Sequence, residues 1–134
     1  NLKIFLGDNG SLLLGYLLGL TGIYLVYNLA YLRPEVFVWF VAFPVYEFLS
    51  TNLFRLIKRK SLFKPGKDHI HYILLKRFTK LKTLFYLISL NIFLSSLGFI
   101  TDYLDILNYS LIFFVILFFI YFLIRGYLFN KPSY

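Results

Sequence analysis

Residues 55–82, RLIKRKSLFKPGKDHIHYILLKRFTKLK, divide this 134-residue chain into two apolar halves. The stretch holds 10 of the 14 basic residues, a single acid (Asp68) and the only two histidines, His69 and His71. The sequence on either side is apolar enough to cross a bilayer. A cationic loop between such segments is typical of a polytopic membrane protein, with the loop held at the membrane surface.

The composition also indicates a membrane protein. Hydrophobic residues make up 60% of the chain and charged residues 15%, with a mean hydropathy of +0.74, whereas soluble domains are about half apolar and about a quarter charged. The chain has no cysteine, so disulfide and thiolate chemistry are excluded. Most of the net charge of +8 belongs to the basic loop. Anionic lipid headgroups explain that charge better than nucleic acid, which we do not expect as a partner.

The lengths of the apolar runs predict the number of membrane spans. A helix rises about 1.5 Å per residue, so about 20 residues cross a hydrocarbon core of about 30 Å. Four segments are long enough, at about residues 12–32, 35–57, 83–100 and 106–124. We therefore predict an all-α fold, a polytopic transmembrane helix bundle with four spans in this fragment of a larger multi-span protein. The basic loop would occupy residues 58–82.

Proline and glycine predict how these spans bend and pack. Pro44 lies inside the second span and should kink it. Gly15, Gly19 and Gly22 share one face of the first span, which predicts close packing against a neighbouring helix, including one outside this sequence. Residues 72–82 alternate apolar pairs with Lys and Arg, which predicts an amphipathic helix lying on the membrane interface.

The basic residues also predict the orientation. With the basic loop in the cytoplasm, four spans place every Lys and Arg except Arg33 on the cytoplasmic side. The same orientation brings Asp8, just before the first span, to the membrane face that carries His69 and His71.

Asp8, the histidine pair and Glu47 are the residues best suited to chemistry, and each has a structural alternative. Asp8 either caps the first helix or offers a carboxylate to Mg²⁺, which prefers oxygen ligands and substrate phosphates. In an extended segment, His69 and His71 would point the same way. They are either surface histidines or, with cations such as Lys67, a diphosphate-binding group. Glu47 either supports the fold near the interface or has a functional role inside the membrane.

Three stretches together resemble motifs of the bacterial polyprenyl-phosphate N-acetylhexosamine-1-phosphate transferases. Residues 3–11 and 14–16, KIFLGDNGS and LGY, resemble the family's K-x-F-[ML]-G-D-x-G-S…L-G-[FY]. Residues 44–47, PVYE, resemble its P-x-x-D, with Glu in place of Asp. Residues 59–63 and 65–72, RKSLF and PGKDHIHY, resemble R-[RK]-x-S-P-F…P-D-[RK]-x-H-[IL]-H-H. The pattern favours the branch that starts O-antigen, common-antigen and teichoic-acid lipids.

The resemblance implies a reaction and a set of roles. An N-acetylhexosamine-1-phosphate would pass from a UDP-sugar to polyprenyl (undecaprenyl) phosphate, with release of UMP, at the cytoplasmic face of the bacterial inner membrane. Asp8 would be catalytic and would bind Mg²⁺ or Mn²⁺, while Lys67, His69, His71 and Asn9 would bind substrate. The implied partners are the lipid phosphate, the UDP-sugar and the membrane, with a homodimer left open.

The sequence departs from the family pattern at three positions of the loop. Leu62 stands in place of Pro, Gly66 in place of Asp and Tyr72 in place of the last His. The acidic D-D-x-x-D motif of the family's amino-terminal half does not occur in this sequence. We therefore expect this chain to be the C-terminal membrane portion of a transferase and to be inactive alone.

Two other functions stay open on the sequence. One is a non-enzymatic four-helix membrane protein, such as an assembly partner or a transporter subunit. The other is a module that binds anionic lipid headgroups through the charge of the loop alone.

Overall fold

The computed structural model describes residues 7–28, 33–61, 66 and 68–130, and the regular elements in these ranges are all helical. This confirms the predicted all-α class. The helices are α1 (Gly7–Ile23, continued by a π-helical turn at Tyr24–Asn28), α2 (Pro34–Phe40), α3 (Ala42–Ile57), α4 (Ile70–Leu75), α5 (Lys80–Tyr103) and α6 (Leu107–Asn130).

Most of these helices are long and apolar enough to cross a membrane. Within the described ranges three qualify alone, at Gly10–Asn28, Lys80–Tyr103 and Leu107–Asn130. The pair α2 and α3 qualifies jointly, as a broken span or a re-entrant loop, with a bend of 64° between the two helices. Their outward faces are apolar and exposed, as expected of surfaces that face lipid. The predicted polytopic helix bundle is therefore confirmed.

The bend between α2 and α3 lies at Val41, three residues before the proline that predicted a kink. Val41 leaves helical geometry, with φ −99° and ψ 7°, and Pro44 stands in the first turn of α3. A proline ring clashes with the carbonyl four residues earlier, which here belongs to Phe40, the last residue of α2. The proline therefore ends the helix before it instead of kinking one continuous helix.

A buried aromatic cluster joins α2 and α3 to the two long helices that follow. The Trp39 indole, 1% exposed, donates its N–H to the Ser110 hydroxyl at 2.7 Å. The Tyr46 hydroxyl donates to the carbonyl of Phe114 at 2.6 Å. Gly98 of α5 lies against Trp39, so the absence of a side chain there lets α2 and α5 approach closely.

The two ends of the bundle differ in charge. At one end Arg33 pairs with Asp102 at 3.4 Å and Asp105 at 3.9 Å. The other end is formed by the end of α3, by α4, by the start of α5 and by the end of α6. Its exposed and half-buried basic residues are Lys58, Arg59, Lys60, Lys76, Arg77, Lys80 and Lys82. We call this the basic end.

The direction of α1 follows from its contacts with α2 and α3. Gly22 faces the ring of Phe37 near the start of α2, whereas Leu18 lines a groove with Phe43 and Leu87. The helix is therefore antiparallel to α2 and α3, and its amino end points towards the basic end. A side chain at Gly15 or Gly19 would have no neighbour within 4 Å among the described residues.

Residues 72–82 do not form the single interfacial helix that their pattern predicts. Helix α4 ends at Leu75, and Thr79 begins a new helix by accepting a hydrogen bond from the Lys82 N–H at 3.4 Å. Such a hydroxyl cap favours a helix start over a continuation. Lys80 and Lys82 therefore open the long helix α5.

Replacing Gly98 by Val should destabilise the bundle. A Cβ at this position would lie 2.8 Å from the Cβ of Trp39, and neither atom can rotate away. Overpacking of this kind costs about 1–3 kcal/mol. Gly126→Val is the matched control, because a Cβ at Gly126 would have no neighbour within 4 Å in the part of the chain that the structure describes. Thermal unfolding in detergent, followed by circular dichroism, should show a lower Tm for the first variant alone; equal Tm values would contradict this packing.

Candidate functional site

Glu47 of α3 is the centre of a polar cluster inside the basic end of the bundle. Its side chain is 13% exposed and lies among apolar helices. The groups that contact its carboxylate are the Tyr121 hydroxyl at 2.5 Å, the Ile70 N–H at 2.8 Å, His69 Nδ1 at 3.2 Å, the Thr51 hydroxyl at 3.3 Å and Arg125 Nε at 3.8 Å. These donors come from α3, α4 and α6, so one carboxylate holds three elements together.

The contact with Ile70 explains how α4 begins. His69 is the residue before this helix, with φ −67° and ψ 150°, and its side chain makes no capping bond. The carboxylate of Glu47 instead accepts the first N–H of α4 from a different helix. A negative group at this position satisfies a free backbone donor and complements the positive helix end.

The two histidines form a stacked pair at the start of α4. Their ring centroids lie 5.7 Å apart and the rings are 11° from parallel. The expectation of an extended segment is wrong, because Ile70 already begins a helix, yet the rings still meet. Since His69 points Nδ1 at Glu47, its Nε2 is the nitrogen left for another group. The His69 side chain is 44% exposed, so a ligand can reach it.

Burial and charge set the protonation of His71. Burial lowers the pKa of His71 below its ordinary value of 6.5, the neighbouring charge of His69 lowers this pKa further, and Glu47 partly offsets both effects. The imidazole of His71 is therefore a neutral group near pH 7 that can take up a proton when an anion comes close.

Asp68 connects the loop to the end of α3 through two cations. Its carboxylate contacts Arg55 Nε at 3.2 Å and Lys60 Nζ at 3.3 Å. Burial alone would raise the pKa of Asp68, but Lys60 and Arg55 outweigh that effect and hold the pKa below its ordinary range. Gly66 lies against this pair, and a Cβ there would overlap the Arg55 guanidinium. A larger residue at this position, where the family pattern has Asp, would therefore displace the flexible end of the Arg55 side chain.

Sequence reasoning missed the role of Arg125. We counted it only as a cytoplasmic charge after the fourth span, but it is 1% exposed. Its guanidinium donates to the Ser50 carbonyl at 3.1 Å, the Thr51 hydroxyl at 3.0 Å and the Asp68 carbonyl at 2.5 Å. The sequence shows only a lone arginine directly after an apolar run, which is also the pattern of an ordinary charge flanking a span.

Only the histidine pair, among the predicted site residues, has side chains that the structure describes. Asp8 and Asn9 belong to the first turn of α1, but their side chains lie outside the described residues. Lys67 also lies outside the described residues. The predicted meeting of Asp8 with the histidines therefore stays a prediction, and the direction of α1 is compatible with it.

The described part of the chain does not by itself fit a magnesium ion. No group of three or more His, Cys, Asp or Glu side chains is close enough there to hold a metal. The two carboxylates at this end are already engaged, Glu47 by five neighbouring groups and Asp68 by Arg55 and Lys60. The arrangement is suited to binding anionic oxygens, since it presents imidazole and cationic groups together at one end of an apolar helix bundle.

Sequence comparison identifies relatives over most of the chain, and three of them carry the name undecaprenyl-phosphate alpha-N-acetylglucosaminyl 1-phosphate transferase. The protein from Thermotoga maritima is 33% identical over 117 residues, covering 87% of this chain and 38% of the relative. The Escherichia coli protein is 28% identical over 127 residues, covering 89% of this chain and 34% of the relative. The Yersinia pestis protein is 30% identical over 93 residues, covering 66% of this chain and 24% of the relative. The chain thus matches between 24% and 38% of the length of these relatives. No protein-family model and no solved structure matches it.

The apolar helices and the polar cluster at one end define an integral membrane protein with a histidine pair at its basic end. The family resemblance of the motifs is confirmed by these relatives. The chain is a homologue of part of the polyprenyl-phosphate N-acetylhexosamine-1-phosphate transferases.

Replacing His69 by Asn should raise the pKa of His71, because it removes a neighbouring positive charge that lowers this pKa. Histidine NMR of the chain in nanodiscs, recorded against pH, would measure the change. In the unaltered chain the folded pKa lies below 6.5. Stability contributed by His71 is therefore present above pH 6.5 and is lost as the pH falls from there through the folded pKa. A His71 pKa that does not respond to the substitution would refute the stacked arrangement.

Proposed function

We propose that this chain is the membrane-embedded, diphosphate-binding portion of a phosphoglycosyl transferase. The reaction is transfer of an N-acetylhexosamine-1-phosphate from a UDP-sugar to undecaprenyl phosphate, with release of UMP. It takes place at the cytoplasmic face of the bacterial inner membrane, to which the basic end of the bundle belongs. The names of the relatives favour N-acetylglucosamine as the sugar.

The stacked histidine pair at the basic end carries this proposal. A lipid phosphate and a nucleotide sugar can meet only where the bilayer surface and the cytoplasm adjoin. His69 and His71 lie at the membrane-surface end of the bundle, beside a loop of opposite charge to both substrates. A module that bound headgroups by charge alone would have no need of one imidazole fixed by a buried carboxylate.

The residues of this chain act on the diphosphate of the UDP-sugar. The lipid phosphate attacks the β-phosphorus, the bond to UMP breaks, and negative charge spreads over the phosphoryl oxygens. Positioned donors stabilise such charge more than they stabilise the ground state. His69 offers Nε2 while Glu47 holds Nδ1, and His71 becomes a cation by taking up a proton beside the substrate. Lys67 would add a further charge, and Asn9 would contact the substrate from the amino end of α1.

A divalent ion, Mg²⁺ or Mn²⁺, would supply charge neutralisation in the complete enzyme. In this chain Asp8 is the carboxylate we assign to it, and the remaining ligands must come from other parts of the protein. Glu47 and Asp68 are not among them, because their own neighbours already satisfy them.

The 134 residues alone should not catalyse transfer. A single carboxylate cannot assemble the metal site, and the described residues contain no cluster that could replace it. The assay incubates the purified chain in nanodiscs with undecaprenyl phosphate and labelled UDP-N-acetylglucosamine, and counts label in the extracted lipid. Lipid-bound label above the protein-free blank would contradict this prediction.

Inserted in place of the matching region of the Escherichia coli relative, the chain should support transfer. The same assay measures the activity of the chimera in membranes. Changing both His69 and His71 to Asn should lower kcat/KM by about 100-fold, the usual effect of removing a charge-stabilising donor.

The control for that chimera is Tyr109→Asn, which removes an exposed ring at the opposite end of the bundle. It should leave activity unchanged at equal membrane abundance. Full activity of the double histidine variant would favour a lipid-headgroup module that needs only loop charge. A chimera that reaches the membrane in normal amount but transfers no sugar would favour a non-enzymatic membrane protein.

A further inference from the structure

Arg125 is the one arginine of α6, and it reaches from this spanning helix to the residue directly before the histidine pair. We propose that Arg125 is a positioning residue that sets where His69 and His71 stand. The effect on catalysis rests on the proposed transferase function, whereas the effect on the histidines does not.

The contacts of Arg125 form a bridge between two segments. Its Nη1 donates to the Ser50 carbonyl of α3. Its Nη2 donates both to the Thr51 hydroxyl of α3 and to the backbone carbonyl of Asp68, at 2.5 Å. A planar guanidinium can hold several acceptors at fixed angles, which a lysine ammonium does not do. The peptide that leads into His69 is therefore fixed relative to α3 by a side chain from α6.

Arg125 also acts on His69 through Glu47. Its Nε lies 3.8 Å from Glu47 Oε2, is buried, and has no hydrogen-bond partner among the described residues. The positive charge of Arg125 therefore balances the Glu47 carboxylate without a hydrogen bond between the two. Glu47 keeps its own bonds to His69 Nδ1 and to the first N–H of α4. His69 is thus held by its preceding peptide and by its ring, and both restraints depend on Arg125.

Other contacts of this region cannot replace that arrangement. Ile70, Ile73 and Leu74 pack α4 against its neighbours, but these apolar contacts lie after His69 and offer no donor to the Asp68 carbonyl. Arg55 and Lys60 bind the side chain of Asp68, not its carbonyl. A buried arginine at this depth is costly in an apolar bundle, which favours a functional reason for its presence.

The test compares Arg125→Met and Arg125→Lys with Arg33→Met. The control removes an equally large cation from the opposite end, where the Arg33 side chain is 58% exposed and pairs with Asp102 and Asp105. The chain is labelled with ¹⁵N-histidine and studied in nanodiscs, because the ring nitrogen shifts report the tautomer and the Nδ1 hydrogen bond of His69. Both Arg125 variants should shift or broaden the His69 signals, and Arg33→Met should leave them unchanged.

The Arg125→Lys variant keeps a positive charge opposite Glu47, which favours folding. If the Arg125→Met variant does not fold, the Lys variant therefore tests the positioning role. Unaltered His69 signals in a folded Arg125→Lys chain would overturn the proposal. In the Escherichia coli chimera, Arg125→Lys should lower kcat/KM by about 100-fold, as expected for a misplaced substrate-binding group. The loss should appear mainly in kcat, because the binding groups themselves stay present.

The two readouts separate this inference from the proposed function. Altered His69 signals together with an inactive unsubstituted chimera would support the positioning role and count against the transferase. Altered signals with undiminished activity of the Arg125→Lys chimera would overturn the catalytic part of the positioning role and leave the transferase standing.

Discussion

The carboxylate of Glu47 within an apolar helix bundle is the constraint on which the site depends. A buried charge left without its partner costs about 3–5 kcal/mol, so the fold must bring donors to it. The donors come from the backbone of α4, a histidine before that helix, a tyrosine and an arginine of α6, and a threonine of α3 itself. Satisfying this one group therefore assembles the loop, the last spanning helix and α3 at a single point.

The placement of Glu47 in turn depends on the break between α2 and α3. Because Pro44 ends α2 at Phe40, α3 starts in a new direction, 64° away, with Glu47 in its second turn. On the α2 side of the break, Trp39 packs against Ser110 and Gly98. On the α3 side, Tyr46 donates a hydrogen bond to α6. The bend is thus fixed from both helices, and the carboxylate is aimed at the basic end of the bundle.

The sequence predicted the parts of this architecture that depend on local pattern. The lengths of the apolar runs predicted the long helices. The basic stretch at residues 55–82 predicted the connection between the second and third of the predicted spans. The pairing of His69 with His71 was also predicted, although the rings meet across a helix start and not along an extended strand. The helix start itself was missed, because its cap is the carboxylate of a distant residue, Glu47. The residues around the start of α4 carry no sign of a cap that comes from another helix.

Other features were beyond prediction because they depend on tertiary contacts. Arg125 has the sequence context of an ordinary charge flanking a span, and only the packing of α6 against α3 shows that it is buried. Gly66 stands where the family pattern has a carboxylate, and only the fold shows that it lies against the Arg55–Asp68 ion pair. Residues 72–82 carried an amphipathic pattern that the hydroxyl of Thr79 interrupts, since a good cap competes with helix continuation.

The charges at the basic end determine what kind of ligand this chain can take. The two carboxylates that the structure describes there, Glu47 and Asp68, are each matched by cations or hydrogen-bond donors inside the protein, so they have little affinity left for a metal. The groups left to bind a ligand at this end are imidazole and ammonium groups. Burial and the neighbouring charge of His69 lower the pKa of His71, whereas an anion close to its ring favours the protonated form. Anion binding and proton uptake are therefore thermodynamically linked at this site: each favours the other by the same free energy.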